Sequence, residues 1–430
     1  FVIACAAVTT LLFGIAPSFS VVKQNISGAL QRSRLSRRVT RNLPLRDVLA
    51  AAQLALSLML LIGAGLLIRS FTSLLSVHTG FDARNVLLGD ISLAPLAVYP
   101  PPKQSEFFNR LLEKFDNTSE IEETGLASST PMVPFNAVAS GLRAEGRPES
   151  DATVCMTSVN GAYFRALRIP LVQGRLFDRR DGPDSMRVAI LNQTLAQTLF
   201  QNETAIGHRV FWGRGPADWA VVVGIVGDIR HRSLDGKIWP EFFQPYRQAP
   251  SPWMTLVVRS PKNKASLARE MKALAQSVDR NQPLFNVTSL EERIADSVSE
   301  RRTRTVLLGI FAAIALVIAV VGLYGVIAYS VTQRTQEIGV RVALGATRST
   351  IFRLVVGHGF RIMIAGTVFG IAGAIAFTRI LASFLYGVPP TDLPTFAIVT
   401  VMLAATALVA AYFPARRATQ VDPVSALRQE

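Results

Sequence analysis

The stretch Thr305–Ser330 reads TVLLGIFAAIALVIAVVGLYGVIAYS and contains no charged residue. A helix needs about 20 apolar residues to cross a hydrocarbon core of about 30 Å. Inside a bilayer the backbone must satisfy its own hydrogen bonds, which makes such a run helical. This stretch therefore predicts a membrane-spanning helix and sets the class of the whole chain.

Three further apolar runs have a similar length, so we expect spans over residues 48–69, 305–330, 354–378 and 396–413. About 235 residues of ordinary globular composition, 70–304, separate the first span from the second. The pattern predicts an α-helical membrane protein, a four-helix transmembrane unit. A large α+β extracytoplasmic domain is inserted after the first span of that unit.

Positive charge indicates the orientation of the spans. The chain has 45 Lys and Arg against 30 Asp and Glu, a net charge of +15. Basic residues concentrate in segments 18–47, 331–353 and 414–430, whereas the short loop 379–395 has only Arg379. Short basic loops stay in the cytoplasm, so these three segments are expected inside and residues 70–304 outside. The charge thus indicates topology and contact with the lipid bilayer, not with nucleic acid.

The first residues suggest an earlier membrane helix. Residues 1–17 are apolar and lack the basic flank of a signal peptide. Residues 14–30 also share a layout with 411–427, in which proline closes an apolar run and Ala-Leu follows about a dozen residues later. We expect 1–17 to be the last transmembrane helix of a preceding repeat, 18–47 a basic cytoplasmic linker, and the chain a fragment.

The most distinctive short stretch follows the second span, at 331–353. Val331, Ile338 and Val342 share one helical face, whereas Arg334, Glu337 and Arg341 share another at spacings that permit salt bridges. These spacings predict an amphipathic helix along the inner membrane face. It could serve as an interfacial anchor or as a docking element for a cytoplasmic partner. Further on, Gly345 suits a helix end, and Thr347 or Ser349 suits the cap of the next helix.

This stretch resembles the QRxxEIGIRxALGA signature of the macrolide-exporter and cell-division (MacB/FtsX) permease family of ABC transporters. Similar matches cover essentially residues 45–430. They are 53–58 and 63–70 in the first span, Gly80-Phe81-Asp82 after it, 163–171, 174–177 and 223–231 in the outside domain, and 414–427 in the tail. The preceding apolar run fits the tandem-duplicated permeases of acidobacteria and related soil bacteria.

The resemblance implies a permease of the mechanotransmission type in a bacterial inner membrane, with residues 70–304 in the periplasm. It implies an ABC ATP-binding subunit as partner, a periplasmic adaptor or outer-membrane channel as a further one, and pairing with a preceding repeat or a second copy. The expected activity is extrusion of antibiotics, peptides or lipoproteins. The alternative is a regulatory protein that controls an envelope partner such as a cell-wall hydrolase. The residues carried over as coupling residues are Arg334, Glu337, Gly339, Arg341, Gly345 and Arg348.

The outside domain shows strand and helix patterns in a repeated order. Two strand–helix–strand groups are expected to pair into one subdomain, with an insertion over about 135–246 as a second subdomain. The groups are 86–93, 105–115 and 121–129, then 255–259, 265–278 and 284–288; strands 188–191 and 221–225 lie within the insertion.

The sequence contains none of the common catalytic, nucleotide-binding or metal-binding motifs. The chain lacks a G-x-x-x-x-G-K-[ST] loop, so ATP hydrolysis is expected in another polypeptide. The four histidines are scattered, and Asp178, Asp181 and Asp184 suggest solvated loop acids rather than a calcium site. Cys5 and Cys155 are expected to be small buried side chains without a disulfide. No catalytic residue, cofactor or metal is predicted.

Overall fold

The computed structural model describes residues 45–93, 97–133, 137–201, 203–212, 219–344 and 346–419. The helices within these ranges are α1 (Leu45–Leu75), α2 (Pro101–Asp116), α3 (Gly161–Ala166), α4 (Gln193–Phe200), α5 (Lys264–Val278), α6 (Leu290–Ser297), α7 (Ser299–Gln333), α8 (Thr335–Ala343), α9 (Arg348–Leu381) and α10 (Leu393–Ala418), with a 3-10 turn at Ala382–Phe384. The strands are β1 (Val86–Ser92), β2 (Glu123–Ala127), β3 (Val138–Ala139), β4 (Arg143–Ala144), β5 (Val154–Val159), β6 (Leu171–Gly174), β7 (Val188–Asn192), β8 (Arg209–Phe211), β9 (Trp219–Val226), β10 (Glu241–Pro245), β11 (Trp253–Arg259) and β12 (Phe285–Ser289).

Four helices of the described part, α1, α7, α9 and α10, are long and apolar enough to cross a membrane. Each is longer than the apolar run that predicts it, because the helix continues into flanking charged residues. α7 has 35 residues and includes the charged segment 299–304 before its apolar run. The helix expected over 1–17, most of the linker 18–47, Gly345 and the end of the tail lie outside the described residues.

The domain between α1 and α7, here called the outer domain, confirms the repeated strand and helix order. β1, α2 and β2 form the first group, and β11, α5 and β12 form the second. β1 pairs antiparallel with both β11 and β12, and β11 pairs antiparallel with β2. α2 buries Phe107, Phe108, Leu111 and Phe115, whose spacing puts them on one helical face against this sheet.

The insertion extends the same sheet. The strand order across the described outer domain is β12-β1-β11-β2-β5-β10-β7-β9-β8-β4, with β3 beside β5 and β6 beside β9. β2 and β5 pair only at Ala127 and Val159, so one backbone bridge joins the two halves. The insertion has its own apolar core, built around α4 with Leu195 and Leu199. A further apolar core joins Phe164 and Phe243 of the insertion to Val86 and Val257 of the first subdomain. The division into two subdomains therefore stays a prediction.

The exit of α1 into the outer domain is held by backbone contacts. Arg259, 3% exposed, donates to the backbone carbonyls of Asp82, Arg84 and Ala166 at 2.7, 2.7 and 2.6 Å. Gly80 has a φ of +81°, and a Cβ there would collide with the carbonyl oxygen of Asp228. The linker after α1 is therefore fixed against the sheet.

Small residues let the membrane helices approach within this chain. A Cβ on Gly366 would lie 2.7 Å from Leu54 Cβ, and one on Gly370 would lie 2.9 Å from Leu58 Cδ2. Both leucines belong to α1 and are buried in the core of the helical unit. These glycines therefore allow close packing between α9 and α1 of the same chain.

The outer domain contains a buried polar chain that the sequence did not reveal. Ser129 Oγ lies 3.0 Å from His231 Nε2, and His231 Nδ1 lies 3.2 Å from Glu241 Oε1. The side chains of His231 and Glu241 are fully buried. Cys155 stands beside Glu241 in the β5–β10 pairing, and burial raises the pKa of its thiol to about 12. Cys155 is thus the small buried side chain that was expected.

The acidic loop after β6 differs from the expectation in one respect. Asp181 is buried, with its side chain 4% exposed, and it accepts two hydrogen bonds of 2.8 Å from the Arg175 guanidinium. Asp178 pairs instead with Arg180. The prediction of solvated acids is wrong for Asp181, because a nearby arginine offsets the cost of its burial. Among the described residues, no group of three or more metal-binding side chains occurs.

Candidate coupling surface at the inner end of the helical unit

A one-residue break separates α7 from the short helix α8. Arg334 occupies the break with φ −104° and ψ 12°, and its N–H donates to the carbonyls of Ser330 and Val331 at 3.2 and 3.1 Å. Thr335 Oγ1 donates to the carbonyls of Val331 and Thr332 at 3.1 and 2.9 Å. Hydroxyls that bond backward in this way bend helices. The amphipathic segment is therefore a separate nine-residue helix, shorter than the sequence pattern indicated.

One face of α8 is buried against the helical unit. Ile338 is 1% exposed, and Gly339 beside it is also buried. Val331 and Val342 pack on the same apolar core, which also contains Ile327 of α7 and Ile351 of α9. This confirms the apolar face predicted from the sequence. The buried side anchors α8 and fixes which residues face outward.

The opposite face of α8 is charged and exposed. Arg341 Nη2 lies 2.7 Å from Glu337 Oε1, and the two side chains are 45% and 49% exposed. Arg334 and Arg348 are exposed as well. Within the described residues neither of these two arginines has a carboxylate within salt-bridge distance. The surface therefore presents Arg334 and Arg348 with no acidic partner in that part of the chain, and a Glu337–Arg341 pair whose members remain open to water.

Two apolar side chains that the sequence analysis missed stand out on this surface. Val340 is 42% exposed and Leu344 is 82% exposed. They are four residues apart and lie off the Val331–Ile338–Val342 face, a spacing visible in the sequence. We define the inner surface as Arg334, Glu337, Val340, Arg341, Leu344 and Arg348. Its mixture of exposed apolar and basic groups suits a protein surface or the lipid boundary.

The remaining predicted coupling residues have different placements. Gly345 lies outside the described residues. Gly339 is buried within the chain, and its expected role as a coupling residue stays a prediction. Thr347 is the residue before α9, but its hydroxyl contacts those of Ser349 and Thr350, each at 2.9 Å, and caps no backbone N–H.

Arg348 begins α9, and its charge is unfavourable there. A helix N-terminus carries partial positive charge, which repels a cation in the first turn. α9 has no acidic residue in that turn. Helix stability therefore does not account for Arg348, whereas an acidic group approaching from outside the chain would be attracted to it.

Comparisons with known proteins bear on both parts of the chain. Residues 48–274 match the MacB-like periplasmic core domain, and residues 309–423 match the FtsX-like permease C-terminal domain. The macrolide export ATP-binding/permease protein MacB of Mannheimia succiniciproducens is 25% identical over 87% of this chain and 58% of its own length. The uncharacterized ABC transporter permease YknZ of Bacillus subtilis is 27% identical over 66% of this chain and 71% of its own length.

Among solved structures, the periplasmic region of MacB from Actinobacillus actinomycetemcomitans aligns with 53% of this chain and 96% of that chain. Its TM-score is 0.35 and its sequence identity 15%. The chain spans about half the length of the MacB relatives it matches, 58%, 40% and 49% for three of them.

Proposed function

Because this chain belongs to the MacB/FtsX-type ABC transporter permease family, we propose that it couples ATP hydrolysis by a partner ATP-binding subunit to movement of its outer domain. The observation that carries the proposal is the connection between the inner surface and the outer domain. α7 runs without a break from Ser299 at the outer end to Gln333 at the inner end. At 1.5 Å per residue, its 35 residues span about 52 Å.

Both ends of α7 are tied to neighbouring structure. At the inner end, Val331 and α8 pack on the core of the helical unit. At the outer end, Arg301 forms a salt bridge with Asp235 of the outer domain, and the short helix α6 precedes α7 with only Val298 between them. A force on α8 would therefore reach the outer domain through a stiff helix and not through a flexible linker.

The proposed partner binds the inner surface through charge and apolar contact. Arg334 and Arg348 attract acidic groups, and Leu344 offers an exposed apolar contact of the kind that interfaces bury. We further propose that the protein lies in a bacterial inner membrane with its outer domain in the periplasm. Pairing with a preceding repeat or a second copy would supply a second inner surface.

The membrane helices favour action on a substrate already outside the hydrocarbon core. The apolar run 305–330 of α7 contains no charged residue, and the described spans offer few polar groups to line a path for a polar solute. We propose export of antibiotics, peptides or lipoproteins from the outer side, with a periplasmic adaptor or outer-membrane channel as further partners. The macrolide export named for the MacB relatives makes macrolides the first compounds to test.

The test measures ATPase activity of the permease co-purified with its ATP-binding subunit, with and without macrolides. Arg341→Glu places two acidic side chains on the inner surface and is expected to abolish stimulation while leaving the protein folded. The matched control is Arg110→Glu in α2, because Glu106 and Arg110 form an exposed pair of the same i,i+4 spacing in the outer domain. That variant should keep full stimulation.

Two outcomes would contradict the proposal. Normal stimulation of Arg341→Glu would remove the inner surface as the coupling site. Recovery of envelope proteins such as a cell-wall hydrolase, with no ATP-binding subunit in the complex, would instead support a regulatory protein that has this permease fold.

A further inference from the structure

A cavity of about 330 Å³ lies where the outer ends of α1 and α7 meet the 3-10 turn after α9. Its wall is mostly apolar and includes Leu67 and Phe71 of α1, Leu308 of α7, and Phe384 of the turn. Ser70, Thr305, Arg301 and Arg304 complete the polar part of the lining. The cavity therefore combines an apolar body with a basic end.

The position of the cavity along α7 matches the edge of a bilayer. Arg304 directly precedes the uncharged run Thr305–Ser330. Arg301 and Leu308 are seven residues apart, which corresponds to about 10 Å along the helix axis. The lining thus extends from the level of lipid headgroups, where arginine is stable, to the level of acyl chains.

The basic end can accept an anion. Arg301 and Arg304 line this end, where they pair with Asp235 and Glu300. Arg304 pairs with Glu300, whose side chain is 78% exposed, and its guanidinium carbon lies 5.4 Å from the centre of the Phe384 ring. An exposed pair of this kind contributes about 0.5 kcal/mol or less, so a phosphate can displace the glutamate. Guanidinium groups bind phosphate through paired hydrogen bonds.

The cavity borders surfaces that face lipid. Leu307, next to Leu308 in the wall, is 49% exposed, and Ile380 before the 3-10 turn is 73% exposed. In a membrane such apolar side chains contact acyl chains, so a lipid chain can enter from the side. A water-soluble anion would leave the apolar wall unfilled, whereas a phospholipid fills both ends.

We propose that this cavity binds an anionic phospholipid of the outer leaflet, with its phosphate at Arg301 and Arg304 and an acyl chain against Leu308 and Phe71. The inference rests on the four helices crossing a membrane. Lipid binding is expected whether or not the protein moves a substrate. Because the experiment does not involve ATP or a partner, its failure would leave the proposed coupling function untouched.

The test uses the full chain, purified in detergent and freed of lipid. It is titrated with phosphatidylglycerol or with phosphatidylcholine of identical chains, and bound lipid is counted by native mass spectrometry. The wild type should prefer phosphatidylglycerol by roughly tenfold, the equivalent of about 1.4 kcal/mol. Arg301→Gln with Arg304→Gln should remove the preference, and Leu308→Trp, which fills the apolar part, should weaken binding of both lipids.

The matched control is Arg302→Gln with Arg379→Gln. It removes two exposed arginines from the same ends of α7 and α9, and neither lines the cavity. It should bind as the wild type does. Equal affinity of the wild type for the two lipids, an unchanged preference in the Arg301/Arg304 variant, or normal binding by Leu308→Trp would each overturn the proposal. Melting curves identify a variant that has lost its fold. If either the Arg301/Arg304 variant or Leu308→Trp does not fold, the other still tests the proposal.

Discussion

Two pairs of a basic and an acidic side chain have similar separations in opposite surroundings. His231 and Glu241 lie 3.2 Å apart inside the outer domain, and both are fully buried. Arg341 and Glu337 lie 2.7 Å apart on α8, and each is about half exposed. Water replaces a lost partner in the second pair but not in the first. Burial therefore assigns the first pair to stability and leaves the second pair free to exchange partners.

The largest effect is expected from Glu241→Ala. It removes the partner of a buried histidine and opens a cavity, so the free energy of unfolding should fall by about 3–5 kcal/mol. For a domain of this size the melting temperature should drop by roughly 6 °C or more. All four tryptophans, at 212, 219, 239 and 253, lie in the outer domain, so their fluorescence reports its unfolding.

Glu241→Gln is the control for this change. It keeps the shape and one oxygen acceptor, so its loss of stability should be smaller. A melting temperature of Glu241→Ala equal to that of the wild type would mean that the buried pair does not hold the outer domain.

An intermediate case is Asp392, whose side chain is 7% exposed, next to Arg69, which is 46% exposed. Asp392 caps α10 by accepting from Thr395 N at 3.1 Å, and it also pairs with Arg69. Asp392→Ala should lower the free energy of unfolding by about 1–2 kcal/mol, measured by circular dichroism at 222 nm during heating. Asp392→Asn keeps the cap and loses the charge, so it should lower the free energy of unfolding by less than Asp392→Ala does. Equal losses in the two variants would assign the whole effect to the ion pair.

Acid should destabilise the outer domain through protonation of Asp82. The loss in free energy of unfolding should be smaller than in the preceding cases, because two of the arginine partners of Asp82 are largely exposed. Hydrogen bonds from Arg84 at 3.0 and 3.1 Å lower the pKa of Asp82 from 3.8 to about 2. A carboxylate with a lowered folded-state pKa stabilises the fold above pH 3.8, and this contribution is lost as the pH falls toward 2. Melting temperatures between pH 2 and 5 should therefore fall less steeply for Asp82→Asn than for the wild type. Parallel slopes would refute the assignment.

The smallest effect on stability is expected at the exposed pair. A double-mutant cycle with Glu337→Ala and Arg341→Ala should give a coupling energy of about 0.5 kcal/mol or less in thermal unfolding. The same two changes should strongly reduce ATPase stimulation by the complex. A coupling energy well above 1 kcal/mol would remove the contrast between the two pairs.

Patterns of local origin were predictable from the sequence. Uncharged runs predicted four membrane helices, and the pattern over 105–115 predicted the helix α2, whose buried face contains Phe107, Leu111 and Phe115. The buried face of α8 followed from the spacing of Ile338 and Val342. In each case the residues that form the pattern are neighbours in the chain, so their periodicity records which face is covered.

Contacts between distant residues were not predictable. Ser129 and His231 are 102 residues apart, and only the fold brings them together. The same is true of the Ala127–Val159 bridge that joins the two halves of the sheet. Two local features were missed as well: the break at Arg334, where the Thr335 hydroxyl bonds backward, and the burial of Asp181 against Arg175, six residues away. Periodicity contains no information about side-chain hydrogen bonds, whether local or tertiary.

Cys155 gives this protein a practical advantage for spectroscopy. Its thiol is completely buried, and its raised pKa keeps it out of the reactive thiolate form at neutral pH. After Cys5→Ser, a cysteine introduced at Leu344 or at Arg302 would be the reactive thiol for a spin label or fluorophore. A label at either position would then report changes around that end of α7 when an ATP-binding subunit is added, without disturbing the core that Cys155 helps to fill.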